Sequence, residues 1–249
     1  MSRWLLPLGF GVVLVGAWQL AVTATGSKVV PGPLQVARGI GELVERGVLV
    51  RYTLDSLRRV GTGYLIAVVL GVPIGLWMGL SKPVFAAVNP LVQILRPISP
   101  IAWIPIAIIL FGIGDAAPIF LITLAAFFPI ASSVAADVAS VPPMFIAAGR
   151  NFGLGQTAII FRILLPAVLP RMLVSLRISL GVAWIVVVAA EMIAVDSGLG
   201  YLIIDSRNAG KRYDLVVAGM VMVGAVGFIL DLLFRALERL RALRWGFRS

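Results

Sequence analysis

The sequence predicts an all-α, polytopic membrane protein with about six transmembrane helices. Of its 249 residues, 60% are hydrophobic and only 13% are charged, whereas a soluble domain carries about 25% charged residues. Apolar runs of about 20 residues, the length that crosses a bilayer as a helix, recur along the chain. The net charge of +10 lies at the borders of these runs and not on one soluble face, which favours a lipid bilayer over nucleic acid as the partner.

Residues 1–52 are predicted to hold one transmembrane helix and one amphipathic segment. The apolar run 4–24 is longer than the core of a cleaved signal peptide, which is roughly 7–15 residues, so a retained span is favoured over a signal peptide. In segment 33–48, apolar residues share one helical face, and Arg38, Glu42 and Arg46 are spaced i, i+4 on the other. This segment is expected to lie on the membrane or on neighbouring helices, not to cross.

Residues 53–240 are predicted to form the main transmembrane domain. Its spans are expected at about residues 60–80, 84–111, 118–138, 173–194 and 215–237. The span at 84–111 contains Pro97, Pro100 and Pro105, and each proline removes an N–H donor and obstructs the preceding turn. That span is therefore expected to be broken, which a membrane tolerates only where protein or a watery cavity satisfies the freed carbonyls.

The distribution of arginine predicts an orientation. The segment 241–249 is a basic tail, and the five arginines beside the last span place the C-terminus in the cytoplasm. Six spans then place the N-terminus there as well. By this parity Lys82 and residues 139–172 are cytoplasmic, and segments 25–58, 112–116 and 195–214 face outward. Gly198 and Gly200 are expected to turn the chain in the last of these segments. Five arginines in or beside the first outward segment oppose the rule: Arg38, Arg46, Arg51, Arg58 and Arg59.

The composition excludes most enzyme chemistry. The chain has no cysteine and no histidine, which removes thiol catalysis, disulfides, the commonest metal ligand and the commonest general base. Asp137 and Asp231 lack the local partners of an aspartyl pair. Asp231 is instead expected to form a local ion pair with Arg235, which follows it at i+4. A Walker-type loop is absent, and Gly153-x-Gly155 is too weak a pattern for a phosphate loop. We therefore expect no enzyme activity and no cofactor, and transport remains as the function class.

Residues 147–170, AAGRNFGLGQTAIIFRILLPAVLP, form a polar, glycine-containing interruption between two apolar runs. Alanines favour a short helix, glycines end it, and Leu165-Pro166 opens the next one. Such an element on the cytoplasmic side is either a rigid docking element for a soluble partner or an ordinary interhelical loop.

This passage resembles the EAA loop of the membrane subunits of ABC importers, which forms a coupling helix that docks on the ATPase. The resemblance implies ATPase-coupling roles for Ala147, Ala148, Gly149, Arg150, Gly153, Leu165 and Pro166. Ala147 stands where the family has an acidic residue, so the resemblance implies steric docking and leaves no carboxylate for an ion pair at this position.

Further motifs resemble the importer branch for nitrate, taurine and alkanesulfonates. They are LGVPIG at 70–75, RPISPIAWIP at 96–105 followed by FGIG, AEM at 190–192 and SGLGYLI at 197–203. The resemblance implies a type I ABC importer fold in the inner membrane, two ATPase copies inside and a solute-binding protein outside. A second permease subunit, usually identical, completes the complex. Other small solutes (bicarbonate, cyanate, pyrimidine or riboflavin), a stand-alone secondary transporter and a non-transporting scaffold are the alternatives.

Glu191 is the main candidate gate residue. It lies 20 residues after Arg171, roughly 30 Å along a helix, in the outer part of its span. An ionisable group inside a span is a functional candidate by default, and the alternative is a structural pair with an arginine or hydroxyl of a neighbouring helix. Arg96 either presents charge to an anion or anchors the interface. The other candidate pathway residues, whose serines alternatively bond to their own helix, are Ser99, Trp103, Ser132, Ser133, Ser179 and Trp184.

Overall fold

The computed structural model describes residues 2–26 and 29–238, and every regular element within them is a helix. The predicted all-α class is confirmed, and the basic tail 241–249 lies outside the described residues. The helices are α1 (Ser2–Thr25), α2 (Pro33–Glu45), α3 (Val48–Leu80), α4 (Lys82–Leu95), α5 (Ile104–Phe111), α6 (Ala116–Ala139), α7 (Pro143–Asn151), α8 (Gln156–Ile159), α9 (Leu165–Ala194), α10 (Leu199–Gly210) and α11 (Tyr213–Glu238).

Four continuous helices of the described residues are long and apolar enough to cross a membrane: Val48–Leu80, Ala116–Ala139, Gln156–Ala194 and Tyr213–Glu238. A fifth span results if α4 and Pro100–Phe111, which are bent by 85° to each other, are taken together. The run predicted at 4–24 belongs to α1, whose part Gly9–Thr25 forms a shorter apolar helix. All six predicted runs are thus helical, but four or five meet the length and hydropathy of a span.

The predicted break in the third span is present. α4 ends at Leu95, a single 3-10 turn covers Pro100–Trp103, and α5 starts at Ile104 with Pro105 in its first turn. Proline is tolerated in a first turn because the N–H it lacks would have no helical acceptor there. The prolines therefore divide the run into two helices joined by a sharp bend.

A stripe of small residues brings α3 close to α6. Cβ atoms added to four of the α3 glycines would press on the facing helix, namely at Gly63, Gly71, Gly75 and Gly79. At Gly75 the distances would be 2.7 Å both to the carbonyl oxygen of Ala131 and to Cβ of Val134. Small residues allow such close backbone approach in membrane bundles. The core continues into α6 and α9 through Ala126, Ile130 and Ala183.

Three predicted boundaries differ from the structure. α3 starts at Val48 and not near residue 60, so it extends about 18 Å beyond the predicted span. The fifth span also starts earlier, because α8, one π turn and α9 form a continuous helix from Gln156 to Ala194. Segment 195–214, which was predicted to face outward with turns at Gly198 and Gly200, contains α10. Gly198 does turn the chain, with φ of +106°, but the prediction for Gly200 is wrong because it lies inside α10.

Candidate functional site

The first candidate site is α7, the predicted coupling helix. Ala147, Ala148 and Arg150 are exposed on it, whereas Gly149 is buried. A Cβ at Gly149 would lie 2.5 Å from Cδ1 of Ile163, so only glycine allows α7 to pack directly on the following helical segment. This packing turns the two alanines outward.

The end of α7 is defined by Gly153, which has φ of +75°. The N–H of Leu154 donates to the carbonyl of Gly149 at 3.0 Å, and the N–H of Gly153 donates to that of Arg150 at 2.9 Å. This pair of bonds is a Schellman motif, in which the left-handed position favours glycine because other residues meet a steric penalty. Gly153 therefore stops the helix at a fixed point and turns the chain back.

Leu165 and Pro166 lie in the first turn of α9, directly after a π turn at Ile160–Leu164. Pro166 has no N–H and its ring crowds the carbonyl four residues earlier. The wider π turn, in which Leu165 N–H bonds to the carbonyl of Ile160, accommodates the ring without a break in the helix. The α7 region is thus joined to one continuous helix, Gln156–Ala194.

Large apolar side chains are exposed near the two alanines of α7. Met144, Phe145 and Phe152 are 69%, 52% and 86% exposed, although they lie outside the helices that could cross a membrane. Large exposed apolar side chains outside the candidate spans make this region a candidate interaction surface.

The second candidate site is an ion cluster around Glu191, whose side chain has 0% exposure. The carboxylate accepts from Nη1 of Arg59 at 2.9 Å, from the Ser56 hydroxyl at 2.8 Å and from the N–H of Gly200 at 3.0 Å. A buried charge requires such partners, since an unpaired one would carry a large desolvation penalty. The structure thus shows the pairing of Glu191 with an arginine and a hydroxyl of a neighbouring helix, α3; a gating role stays a prediction.

Arg59 joins this carboxylate to two other segments. With 3% of its side chain exposed, it also donates to the carbonyl and hydroxyl oxygens of Ser197 at 2.8 and 2.7 Å and to Oδ1 of Asp115 at 2.8 Å. Arg58 is a second ion-pair partner of Asp115. Burial raises the pKa of Asp115, but the hydrogen bonds and charges of Arg59 and Arg58 outweigh burial and hold it below its ordinary value.

The motif Ser197-Gly198-Leu199-Gly200 gives the cluster its shape. A Cβ at Gly198 would overlap the Glu191 carboxyl group, and one at Gly200 would lie 2.8 Å from Cβ of Glu191. The two glycines therefore let α10 begin against α9, where the N–H of Leu199 reaches the hydroxyl of Ser56 at 3.0 Å. The glycines of this motif therefore allow close packing of α10 against α9, in addition to the turn at Gly198.

The cluster connects the three segments that were predicted to face outward, which are 25–58, 112–116 and 195–214. Sequence reasoning identified Glu191 but missed Ser56, Arg59, Asp115 and Ser197. The available signal was the set of arginines that oppose the charge rule, because arginines kept in an outward segment need partners. Arg58 and Arg59 find them in this cluster.

The other predicted pathway residues lie elsewhere. Trp184 is buried between α9 and α11, where its Nε1–H donates to the carbonyl of Val223 at 3.1 Å. Ser179 bonds to the carbonyl of Ser175 at 2.9 Å, which is the back-bonding alternative. At the α4–α5 bend Arg96 and Ser99 are exposed. The remaining three, Trp103, Ser132 and Ser133, are partly buried. Trp103 Nε1 and Ser132 Oγ are buried polar atoms without a hydrogen-bond partner in the described residues.

The chain is similar to several known proteins. Residues 71–242 match the family described as "Binding-protein-dependent transport system inner membrane component". A probable ABC transporter permease protein of Brucella abortus (strain 2308) is 39% identical over 237 residues, covering 94% of this chain and 93% of the relative.

Relatives with named solutes are also similar. The taurine transport system permease protein of Escherichia coli (strain K12) is 35% identical, covering 94% of this chain and 87% of the relative. The nitrate import permease protein of Leptolyngbya laminosa is 32% identical, covering 89% of this chain and 81% of the relative. A solved inward-facing MetNI methionine ABC transporter chain shares the fold, with a TM-score of 0.69, 23% identity, and coverage of 78% of this chain and 96% of that one.

Proposed function

Since this chain belongs to the family of binding-protein-dependent transport system inner membrane components, we propose that it imports a small anionic solute of the sulfonate, taurine or nitrate type. It is an ABC importer permease subunit of the inner membrane. In the proposal, two copies form the pathway, a solute-binding protein delivers the solute from outside, and two copies of a separate ATPase subunit drive alternating access. Both chain termini then lie in the cytoplasm.

The observation that carries the proposal is the construction of α7. Its exposed face carries two alanines and Arg150 beside large apolar side chains. Its buried glycine packs on the helix that continues to Ala194. An ATPase groove that binds this face can move the continuous helix Gln156–Ala194, which is 39 residues long. Since Ala147 replaces the acidic residue of the family pattern, the contact depends on steric fit and apolar burial.

The test compares valine substitutions at two nearby glycines. Gly153→Val places a β-branched residue at φ of +75°, a conformation it strongly disfavours, so the end of α7 should unwind. Gly155→Val is the matched control, because Gly155 has φ of −69° and open space around its Cβ position. Both variants are co-expressed with the ATPase and the binding protein.

We expect Gly153→Val to insert into the membrane but to lose ATP-dependent uptake and co-purification of the ATPase, while Gly155→Val keeps both. Equal uptake by the two variants would refute the coupling role of α7. Uptake by the permease alone, without any ATPase, would show a secondary transporter instead.

In the same proposal the Glu191 cluster is the outer gate. It ties α3, the start of α6 and the α9–α10 junction together at the outward end, so opening of the pathway there has to rearrange it. Glu191→Gln keeps the shape and an acceptor oxygen but removes the charge. We expect a changed ratio of ATP hydrolysed to solute imported, measured in proteoliposomes. A lower thermal stability with an unchanged ratio would assign Glu191 a structural role only.

A further inference from the structure

Four cations of the outward segments have no ion-pair partner among the described residues: Arg38, Arg51, Arg207 and Lys211. Two of them, Arg38 and Lys211, lie at a common site. Positive charge is normally scarce in outward segments, and most arginines there have acid partners within the chain: Arg46, Arg58, Arg59 and Arg212. Arg38 and Lys211 are exposed, and neither is in an ion pair among the residues that the structure describes.

Arg38 and Lys211 line the same surface cavity. It has a volume of about 280 Å³ and is completed by Pro31, Gln35, Tyr213 and Asp214. The one acid in the lining is already used, because the carboxylate of Asp214 accepts from Arg212 at 2.7 and 2.9 Å. The cavity therefore presents two free positive charges together with a phenol and an amide.

The base of the cavity is closely packed. Gly39 of α2 lies against α11 so closely that an added Cβ would be 3.1 Å from Cδ2 of Leu215. Arg212 ties Glu42 of α2 to the start of α11 at 2.6 Å. Lys211 has φ of +49°, the one positive φ at a non-glycine residue in the described part of the chain. Lys211 ends α10 in this left-handed position, where the N–H of Arg212 donates to the carbonyl of Ser206 at 3.0 Å, and this helix end fixes the point at which the chain leaves α10.

We propose that this cavity, lined by Arg38 and Lys211, receives an acidic side chain of the solute-binding protein when that protein docks on the outer face. The inference rests on the proposed function, which supplies the outer partner. Charge complementarity identifies the chemistry: a carboxylate would pair with both cations at a face where the fold leaves them unpaired. Charged groups at the rim of an interface mainly set the association rate and its salt dependence.

The test measures stimulation of ATPase activity by the purified solute-binding protein, loaded with solute, on the complete importer in nanodiscs. The variant Arg38→Gln/Lys211→Gln is compared with Arg51→Gln/Arg207→Gln, which removes two exposed outward cations that do not line the cavity. We expect the half-maximal binding-protein concentration to rise about three- to tenfold for the cavity variant at low salt, in line with the strength of rim charge pairs. The difference should shrink at high salt, because screening weakens exposed charge pairs.

Equal half-maximal concentrations for the cavity variant and the unaltered importer would overturn the inference and leave the importer function intact. The same loss in both variants would also overturn it, since the effect would then be general surface charge. Stabilisation of the permease by the free solute anion, abolished only in the cavity variant, would identify a small-anion site instead. Failure of the unaltered importer to respond to any binding protein would overturn the proposed function itself.

Discussion

Substitution of Arg59 should destabilise the protein far more than substitution of its neighbour Arg58, because only Arg59 is buried. Arg59→Met keeps the length and apolar character of the stem but removes four donated hydrogen bonds, to Glu191, Asp115 and both oxygens of Ser197. It leaves Glu191, with 0% of its side chain exposed, as a buried charge without a counter-ion. Breaking a buried pair from one side costs about 3–5 kcal/mol.

Two further variants separate this effect from a general loss of charge. Arg58→Met removes the neighbouring arginine, whose side chain is 68% exposed, and exposed pairs contribute only about 0–1 kcal/mol. Arg59→Met/Glu191→Gln removes both buried charges while the amide oxygen still accepts from Gly200. Replacing both partners avoids the unpaired charge, so the double variant should regain at least about 2 kcal/mol relative to Arg59→Met alone.

The assay is the free energy of unfolding in mixed detergent micelles, followed by tryptophan fluorescence. The reasoning would be refuted if Arg59→Met and Arg58→Met differed by less than about 1 kcal/mol, given the contrast between buried and exposed pairs. It would equally be refuted if the loss in the double variant equalled the sum of the single losses, because contacting residues of one network should not behave additively.

Two other expectations concern helix packing and pH. Gly75→Ala should destabilise by about 1–3 kcal/mol through overpacking against Ala131, where its Cβ would lie 2.7 Å from the carbonyl oxygen; Gly61→Ala, on the same helix with open space around it, should be neutral or stabilising in the same unfolding titration. The hydrogen bond and charge of Arg212 lower the pKa of Glu42 from its ordinary 4.5, so the ion pair that Glu42 of α2 forms with Arg212 is at full strength above that value and is lost as pH falls through the lower folded-state pKa. A spin label on α2 should gain mobility there, whereas Glu42→Gln should be mobile and insensitive to pH over the same range.

Composition and periodicity alone determined the helical class and the general positions of the apolar helices. Twenty-residue apolar runs have few alternatives in a membrane, because only helices and closed barrels satisfy the backbone there. Local rules also sufficed for the break after Leu95, where prolines cannot continue a helix, and for the i, i+4 pair of Asp231 and Arg235, observed at 2.6 Å. The family pattern at 147–166 identified a candidate docking element, and its docking role stays a prediction.

Local rules failed where a residue's role depends on distant parts of the chain. Gly200 was predicted to turn the chain, but its small size serves the approach of α10 to Glu191. α10 itself was missed because its residues lack the long apolar run that marks the other helices.

The partners of Glu191 were decided by the tertiary structure. Ser56 and Arg59 lie 135 and 132 residues away along the chain, and no sequence periodicity links such positions. The sequence by itself left two interpretations of Glu191 open, a gate residue or a structural pair with an arginine or hydroxyl of a neighbouring helix. The structure shows a buried carboxylate, which requires a counter-ion. Only the packing of α3 against α9 and α10 decided that Arg59 supplies it, because that choice depends on which helix ends the fold brings together.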